Sequence, residues 1–126
     1  MADYAPIFAI CSVDAGVAAV LGGTGASCRL YPFGEAPQQT TKPYAVWQTV
    51  TGTPENYLDK IPDVDSWGIQ IDAYASTVTT CRNIAEALRN AIEPYAHIVS
   101  WGGDDRDPDT NLYRVNFSVD WWVERT

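Results

Sequence analysis

Residues 113–124 constrain the fold more than any other stretch of the chain. Tyr113, Val115, Phe117, Val119, Trp121 and Val123 alternate without a break with Arg114, Asn116, Ser118, Asp120, Trp122 and Glu124. A strand turns successive side chains to opposite faces, so this pattern is a strand with one apolar face and one polar face. Full burial of each aliphatic or Phe side chain contributes roughly 1.5–3 kcal/mol. A row of six therefore sets the register, because a slip of one residue would turn the whole row to solvent. The chain must supply other strands to pair with this one and a layer to cover its apolar side.

Both are legible upstream. From Ser66 to Ala75, Trp67, Ile69, Ile71 and Ala73 alternate with Gly68, Gln70, Asp72 and Tyr74, a second half-buried strand. Tyr44 to Thr53 is extended, β-branched and aromatic. Its inner face is ambiguous between Val46/Gln48/Val50 and Ala45/Trp47/Thr49. The two segments read as an antiparallel pair joined by a long connection, Pro54 to Asp65, which contains Tyr57 and Leu58. His97 to Trp101 and Leu112 to Glu124 read as a closing hairpin around a Gly/Asp/Pro-rich loop, Gly102 to Asn111.

The covering layer is a helix. Ser76 or Thr77 caps it, and Val78, Cys81, Ala85, Leu88, Ile92 and Tyr95 recur at three- and four-residue spacing until Pro94 stops it. Arg82, Glu86, Arg89 and Glu93 fall on other faces as solvated pairs at 82/86 and 89/93. At the start of the chain, Pro6 opens a short helix with Ile7, Phe8, Cys11 and possible support from Ile10. Asp14 caps a second short turn, Ala15 to Leu21, which Gly22 and Gly23 end. Leu30 and Tyr31 run into Pro32, a short strand suited to a sheet edge because proline gives no ladder donor. The expected fold is α+β in one domain, residues 1–126: a small antiparallel sheet of about four strands, packed by one long helix plus a short N-terminal helix.

Composition excludes several functional classes. Sixteen acidic against eight basic residues give a formal net charge of −8. That charge repels a phosphate backbone and leaves no footprint for a duplex reader. Cys11, Cys28 and Cys81 are odd in number and lack Cys-x-x-Cys spacing, so reduced, buried thiols are expected, with neither a disulfide framework nor a zinc site. The first residues lack the layout of a secretory signal, and no apolar stretch approaches the ~20 residues of a membrane span. These features point to a protein made and kept in a cytosol.

Few residues suggest chemistry. Gly22-Gly23-Thr24-Gly25 lacks the Lys-Ser/Thr and the preceding strand of a phosphate loop. Asp105-x-Asp107-x-Asp109 opens like a calcium loop, but Thr110 stands where Gly is required and Asn116 where the bidentate Glu belongs. An acidic solvated turn is expected there. His97 stands alone at a strand start, and Asp72 and Asp120 sit on polar faces, so a structural role is expected for all three. Trp122 is different. It shares the polar face with Arg114 and Asp120, where an exposed Trp is either an interface anchor or is covered by a terminus or loop of its own chain. Trp47 raises the same question.

The order of several short motifs resembles a known family. Asp14-Ala-Gly-Val-Ala-Ala-Val-Leu21 is followed by Arg29-Leu30-Tyr31-Pro32, Lys42-Pro43-Tyr44, the Gly52-Thr53-Pro54 turn, and Ile69-Gln70-Ile71-Asp72-Ala73-Tyr74 leading into the long helix. In that order they are similar to the tail completion (tail terminator) proteins of long-tailed bacteriophages. The resemblance implies a structural virion protein of the tail and neck with no catalytic, cofactor or metal site. It implies a ring, six subunits in such proteins, that halts growth of the tail tube and joins it to the head connector, with DNA passing through the lumen unbound. The implied partners are further copies of the chain, the tail tube protein and the connector; no membrane is involved. A head-to-tail ring needs two different patches on each subunit. Trp122, Trp47, Tyr57, Leu58, Asp104, Asp105, Arg106 and Arg114 are the residues expected to serve them. The rival readings are a connector or adaptor of the neck, and a small α+β enzyme using Asp72, His97 or Asp120.

Overall fold

A computed structural model of the chain describes residues 4–36, 42–56, 58, 60–109 and 111–125. Five strands form one sheet in the order β1-β2-β3-β5-β4: β1 Leu30–Pro32, β2 Tyr44–Pro54, β3 Val64–Ala75, β4 His97–Arg106 and β5 Tyr113–Glu124. Three helices accompany it: α1 Ile7–Cys11, α2 Ala15–Leu21 and α3 Val78–Ile92, with a 3₁₀ turn at Gly25–Ser27. The α+β class holds, and the short turn expected from Ala15 to Leu21 is α2, but the sheet among the described residues is larger than the four strands expected. Nor is the sheet wholly antiparallel, because β1 pairs parallel to β2, Leu30 opposite Ala45 and Pro32 opposite Trp47. A three-residue strand with a proline is tolerated there because it lies at the edge.

The alternation in β5 sets the layers. Val115, Phe117, Val119 and Trp121 are buried, in register with Ala73, Ile71, Ile69 and Trp67 of β3. The ambiguity in β2 is resolved toward Ala45 and Trp47: Ala45 is fully buried and Trp47 packs against the core. Beyond Thr49 a bulge at Val50 shifts the register, so Gly52 rather than Thr51 comes to the inner side opposite Trp67. A Cβ on Gly52 would strike the Trp67 ring, so the absent side chain makes room for the indole.

The α3 helix lies across this inner face. Thr77 caps it, its Oγ1 accepting from Thr80 N at 3.2 Å, and Cys81, Ile84, Ala85, Leu88, Ala91 and Ile92 are buried. The Cys81 thiol donates to Ala73 O (3.1 Å) and Tyr113 O (3.3 Å), tying the helix to β3 and β5. The apolar stripe stops short of Tyr95, which lies past the end of the helix and is 62% exposed. On the solvent side, Arg89 approaches Glu86 at 3.9 Å, an i,i+3 ion pair instead of the expected 89/93 pair. Short α1 and α2 complete the layer. The Asp14 carboxylate caps α2 by accepting from Val17 N (3.0 Å), and Gly22 closes it in the left-handed region at φ 98°.

All three cysteines are buried free thiols. Burial, with Cys28 and Asp14 nearby, pushes the Cys11 thiol up to about 12. Burial likewise raises Cys28, against the lowering effect of Arg29.

Candidate functional site

One face of the sheet carries the helices; among the described residues no element of the chain covers the other. Its side chains are polar and aromatic, and one row crosses all five strands. Tyr31 of β1 lies against Tyr44 of β2 (ring centroids 6.5 Å apart), and Tyr44 stacks on Tyr74 of β3 (5.0 Å, 19° between planes). Tyr74 is hydrogen-bonded to Arg114 of β5, which reaches Asp105 of β4 at 3.2 Å. Burial, reinforced by Asp72, raises Tyr74 above the ordinary tyrosine value, with Arg114 opposing. Burial lowers the Arg114 guanidinium, but the Tyr74 bond and the Asp72, Tyr74 and Asp105 charges outweigh it, and the net shift is upward. Cross-strand pairs of this kind stabilise a sheet by roughly 0.2–1 kcal/mol each. Arg114 Nε is buried without a hydrogen-bond partner.

Asp105 and Arg106 therefore lie on a strand, not in a loop. The segment expected as a loop at Gly102–Asn111 belongs to β4 up to Arg106, because Asp104, Asp105 and Arg106 pair with Val115, Arg114 and Tyr113. The correction follows from the Gly pair: a register shift between Trp101 and Gly103 lets the ladder resume after it. Arg106 sits over the Tyr113 ring, 5.1 Å from its centroid. The side chain of Asp104 lies outside the described residues. Past β4 the acidic turn satisfies itself: Asp107 Oδ1 accepts from Asp109 N (2.9 Å), and Asp107 O from Asn111 N (2.8 Å). Among the described residues no group of three or more His, Cys, Asp or Glu is placed to hold a metal ion.

A second region is the end of the β2–β3 hairpin. Trp122 is 49% exposed, and its indole donates to Glu55 Oε1 at 3.2 Å. The loop of its own chain thus touches the ring without covering it. Arg125 clamps the same end with a bidentate fork to Asp65 (2.8 and 2.9 Å), a bond to Pro62 O (2.9 Å), and its backbone N–H to Asp63 O (2.7 Å). Asp65 is only 8% exposed, and its hydrogen bond to Arg125 holds the carboxyl below the ordinary aspartate value, against a smaller upward effect of burial. Beyond the clamp project Leu58, fully exposed, and Ile61, 81% exposed. Tyr57 lies outside the described residues.

A third region is an apolar groove of about 420 Å³ at the other end of β2, lined by Phe8, Ala26, Cys28, Leu30, Tyr31, Pro32 and Trp47. Phe8 stands over Trp47 at 6.4 Å between centroids, and Phe33 beside the groove is exposed. Sequence reasoning singled out Trp47 but missed Phe8 and Ile61. An aliphatic residue in a Pro-rich turn, Ile61-Pro62, was the available signal for the second. Phe8 reads in the sequence as part of the apolar face of α1, and a five-residue helix is too short to hide it.

Of the residues of the enzyme reading, the sheet brings two side by side and leaves the third apart. His97 is exposed and pairs with Asp120 across β4 and β5, whereas Asp72 lies opposite Asn116, four positions along β5.

The fold has a counterpart among solved structures: a chain from a "Virion of native gene transfer agent (GTA) particle" matches with a TM-score of 0.65, 16% identity, and coverage of 94% of this chain and 91% of that one. No curated protein matches the sequence significantly. The family described as "Tail completion protein gp17" matches residues 5–124, nearly the whole chain. A match over nearly the whole chain shows that the chain belongs to the tail completion protein gp17 family of phages, structural proteins of the virion tail and neck.

Proposed function

We propose that the protein forms a ring on the head-proximal end of the tail tube, stops tube polymerisation and presents the joining surface for the head connector, six copies closing the ring. The observation that carries this reading is that, besides exposed apolar side chains elsewhere such as Val13, Tyr95 and Val99, two groups of them stand well apart on the sheet. Leu58 and Ile61 stand at one end of the sheet and Phe8, Phe33 and the groove at the other. A domain that worked alone would gain by covering such groups, whereas a ring subunit needs two unlike patches, one for each neighbour. The net charge of −8 fits the reading, because an acidic lumen lets DNA pass without binding it.

Electron microscopy of the protein mixed with its tail tube protein tests this. The expected result is tubes of bounded length with a six-fold ring at one end. Tubes that grow as long with the protein as without it, or protein found only on filled heads lacking tails, would overturn it; the second outcome marks a connector.

A further inference from the structure

We infer that the open sheet face around Trp122 seats an arginine side chain presented by another protein, the guanidinium lying on the indole and its charge met by Glu55, Asp120 and Glu124. The inference does not depend on the ring. Asp120 and Glu124 flank Trp122 on the same side of β5, each two residues away, about 7 Å along the strand. Glu55 Oε1 accepts from the indole N–H at 3.2 Å, so a carboxylate holds the ring by its edge. Opposite these three residues β3 offers Ser66, Gly68 and Val64, and the indole remains 49% exposed. Among the described residues no ion pair engages Glu55, Asp120 or Glu124. His97 stands opposite Asp120 in the ladder without forming one, and the Arg125 guanidinium is taken by Asp65 and Pro62 O.

The two ends of this face differ in charge balance. At the Tyr74 end, Asp72 and Asp105 have a cation of their own chain, Arg114. At the Trp122 end the carboxylates border an aromatic ring, and none of them is paired with a described cation. The face of an indole attracts a cation, and carboxylates beside the ring add to that attraction. Arginine suits the seat better than lysine, because its planar guanidinium stacks on the ring while its fork reaches a carboxylate, and it is the more weakly hydrated. A protein suits it better than a free cation. Small-ligand sites are concave, whereas this seat lies on an open sheet, and Trp and Arg are both enriched where proteins meet.

The test titrates the full-length, isotope-labelled protein with a blocked peptide alternating glycine and arginine, followed by nuclear magnetic resonance. Matched peptides carry lysine or neutral citrulline in place of arginine. The arginine peptide should shift the Trp122 indole N–H and the amides of Asp120 and Glu124 saturably, the lysine peptide should act more weakly, and citrulline should have no effect. Trp122→Leu keeps an apolar side chain, and Glu55→Gln keeps an acceptor for the indole while removing a charge. Each should weaken binding about threefold, read at Asp120 and Glu124, and Glu55→Gln reads the seat even if Trp122→Leu does not fold. An equal response to citrulline, or shifts as large at Asp107 and Asp109 as at Asp120 and Glu124, would overturn the inference, as would undiminished binding by both variants. Spermidine that binds the seat more tightly than the arginine peptide would assign it to a free polyamine. Self-association that Glu55→Gln abolishes would assign it to a second copy of the chain. Either result also overturns the inference, and none of these readings changes if the ring fails its own test by microscopy.

Discussion

Trp121 and Trp122 are neighbours in sequence and opposites in environment. Trp121 is 4% exposed in the core, Trp122 49% exposed on the open face. Trp121→Ala should cost about 3–5 kcal/mol and unfold a marginal domain, whereas Trp122→Asp should leave a folded monomer with an unchanged urea midpoint. Circular dichroism with urea titration separates the two. Loss of folding by Trp122→Asp would show that the ring is covered after all. Asp65 makes a second residue-scale prediction. Its folded pKa lies below the unfolded value, so its stabilisation is fully present above the unfolded value of about 3.9 and is lost as pH falls from there through the lower folded value. Arg125→Met should flatten that acid limb: the variant and the parent should differ in thermal midpoint near neutrality and converge at the acid end. A constant difference at every pH would mean that the clamp acts by packing alone.

At the scale of elements, α3 is the part whose stability is most local. Its cap is Thr77, whose Oγ1 accepts from Thr80 N and donates to Thr80 Oγ1 at 2.8 Å. Thr77→Ala should lower stability by roughly 0.5–2 kcal/mol, and Thr77→Ser should restore most of it, as read from urea unfolding. Because the stripe from Cys81 to Ile92 covers β3 and β5, fraying at the cap should also raise hydrogen exchange at Thr80 and Cys81, whose N–H groups donate to Thr77 Oγ1 and Thr77 O, before it reaches the sheet. The β2–β3 hairpin depends instead on a register shift. Gly52 must come inward for Trp67 to lie over it, and Tyr4 stacks on the same indole at 4.7 Å between centroids. A side chain at position 52 should loosen this stack at a cost of about 1–3 kcal/mol, read as a change in tryptophan fluorescence together with a lower urea midpoint.

For the whole molecule, we expect folding to be separable from any role of Trp122, because the core lies on the helical side of the sheet and Trp122 on the other. The helical side holds the core and the bare side holds a half-buried polar row, so substitutions on the second should spare the monomer. Trp122→Asp is expected to leave the protein monomeric and soluble while tubes assembled in its presence lose their length limit. Bounded tubes with this variant would exclude Trp122 from the working surface. Core substitutions such as Phe117→Ala should do the reverse, lowering the amount of folded protein without altering the tube length set by what remains.

The strands, the capped helix and the α+β class were legible because each rests on a local regularity: period two in residues 113–124 and 66–75, period 3.6 from Cys81 to Ile92, and caps at Asp14 and Thr77. The family was legible from the order of short motifs. What lay beyond the sequence depended on contacts between distant segments. The parallel pairing of β1, the inward turn of Gly52, the extension of β4 through Arg106 and the clamp from Arg125 to Asp65 each join residues that no local pattern relates. The same holds for the surfaces. Whether Trp122, Phe8 or Ile61 is covered depends on what the folded chain places above it, and burial is a property of the packed neighbours, not of the residue. Sequence determined which side chains favour leaving water; tertiary structure decided which of them are buried and which stay exposed.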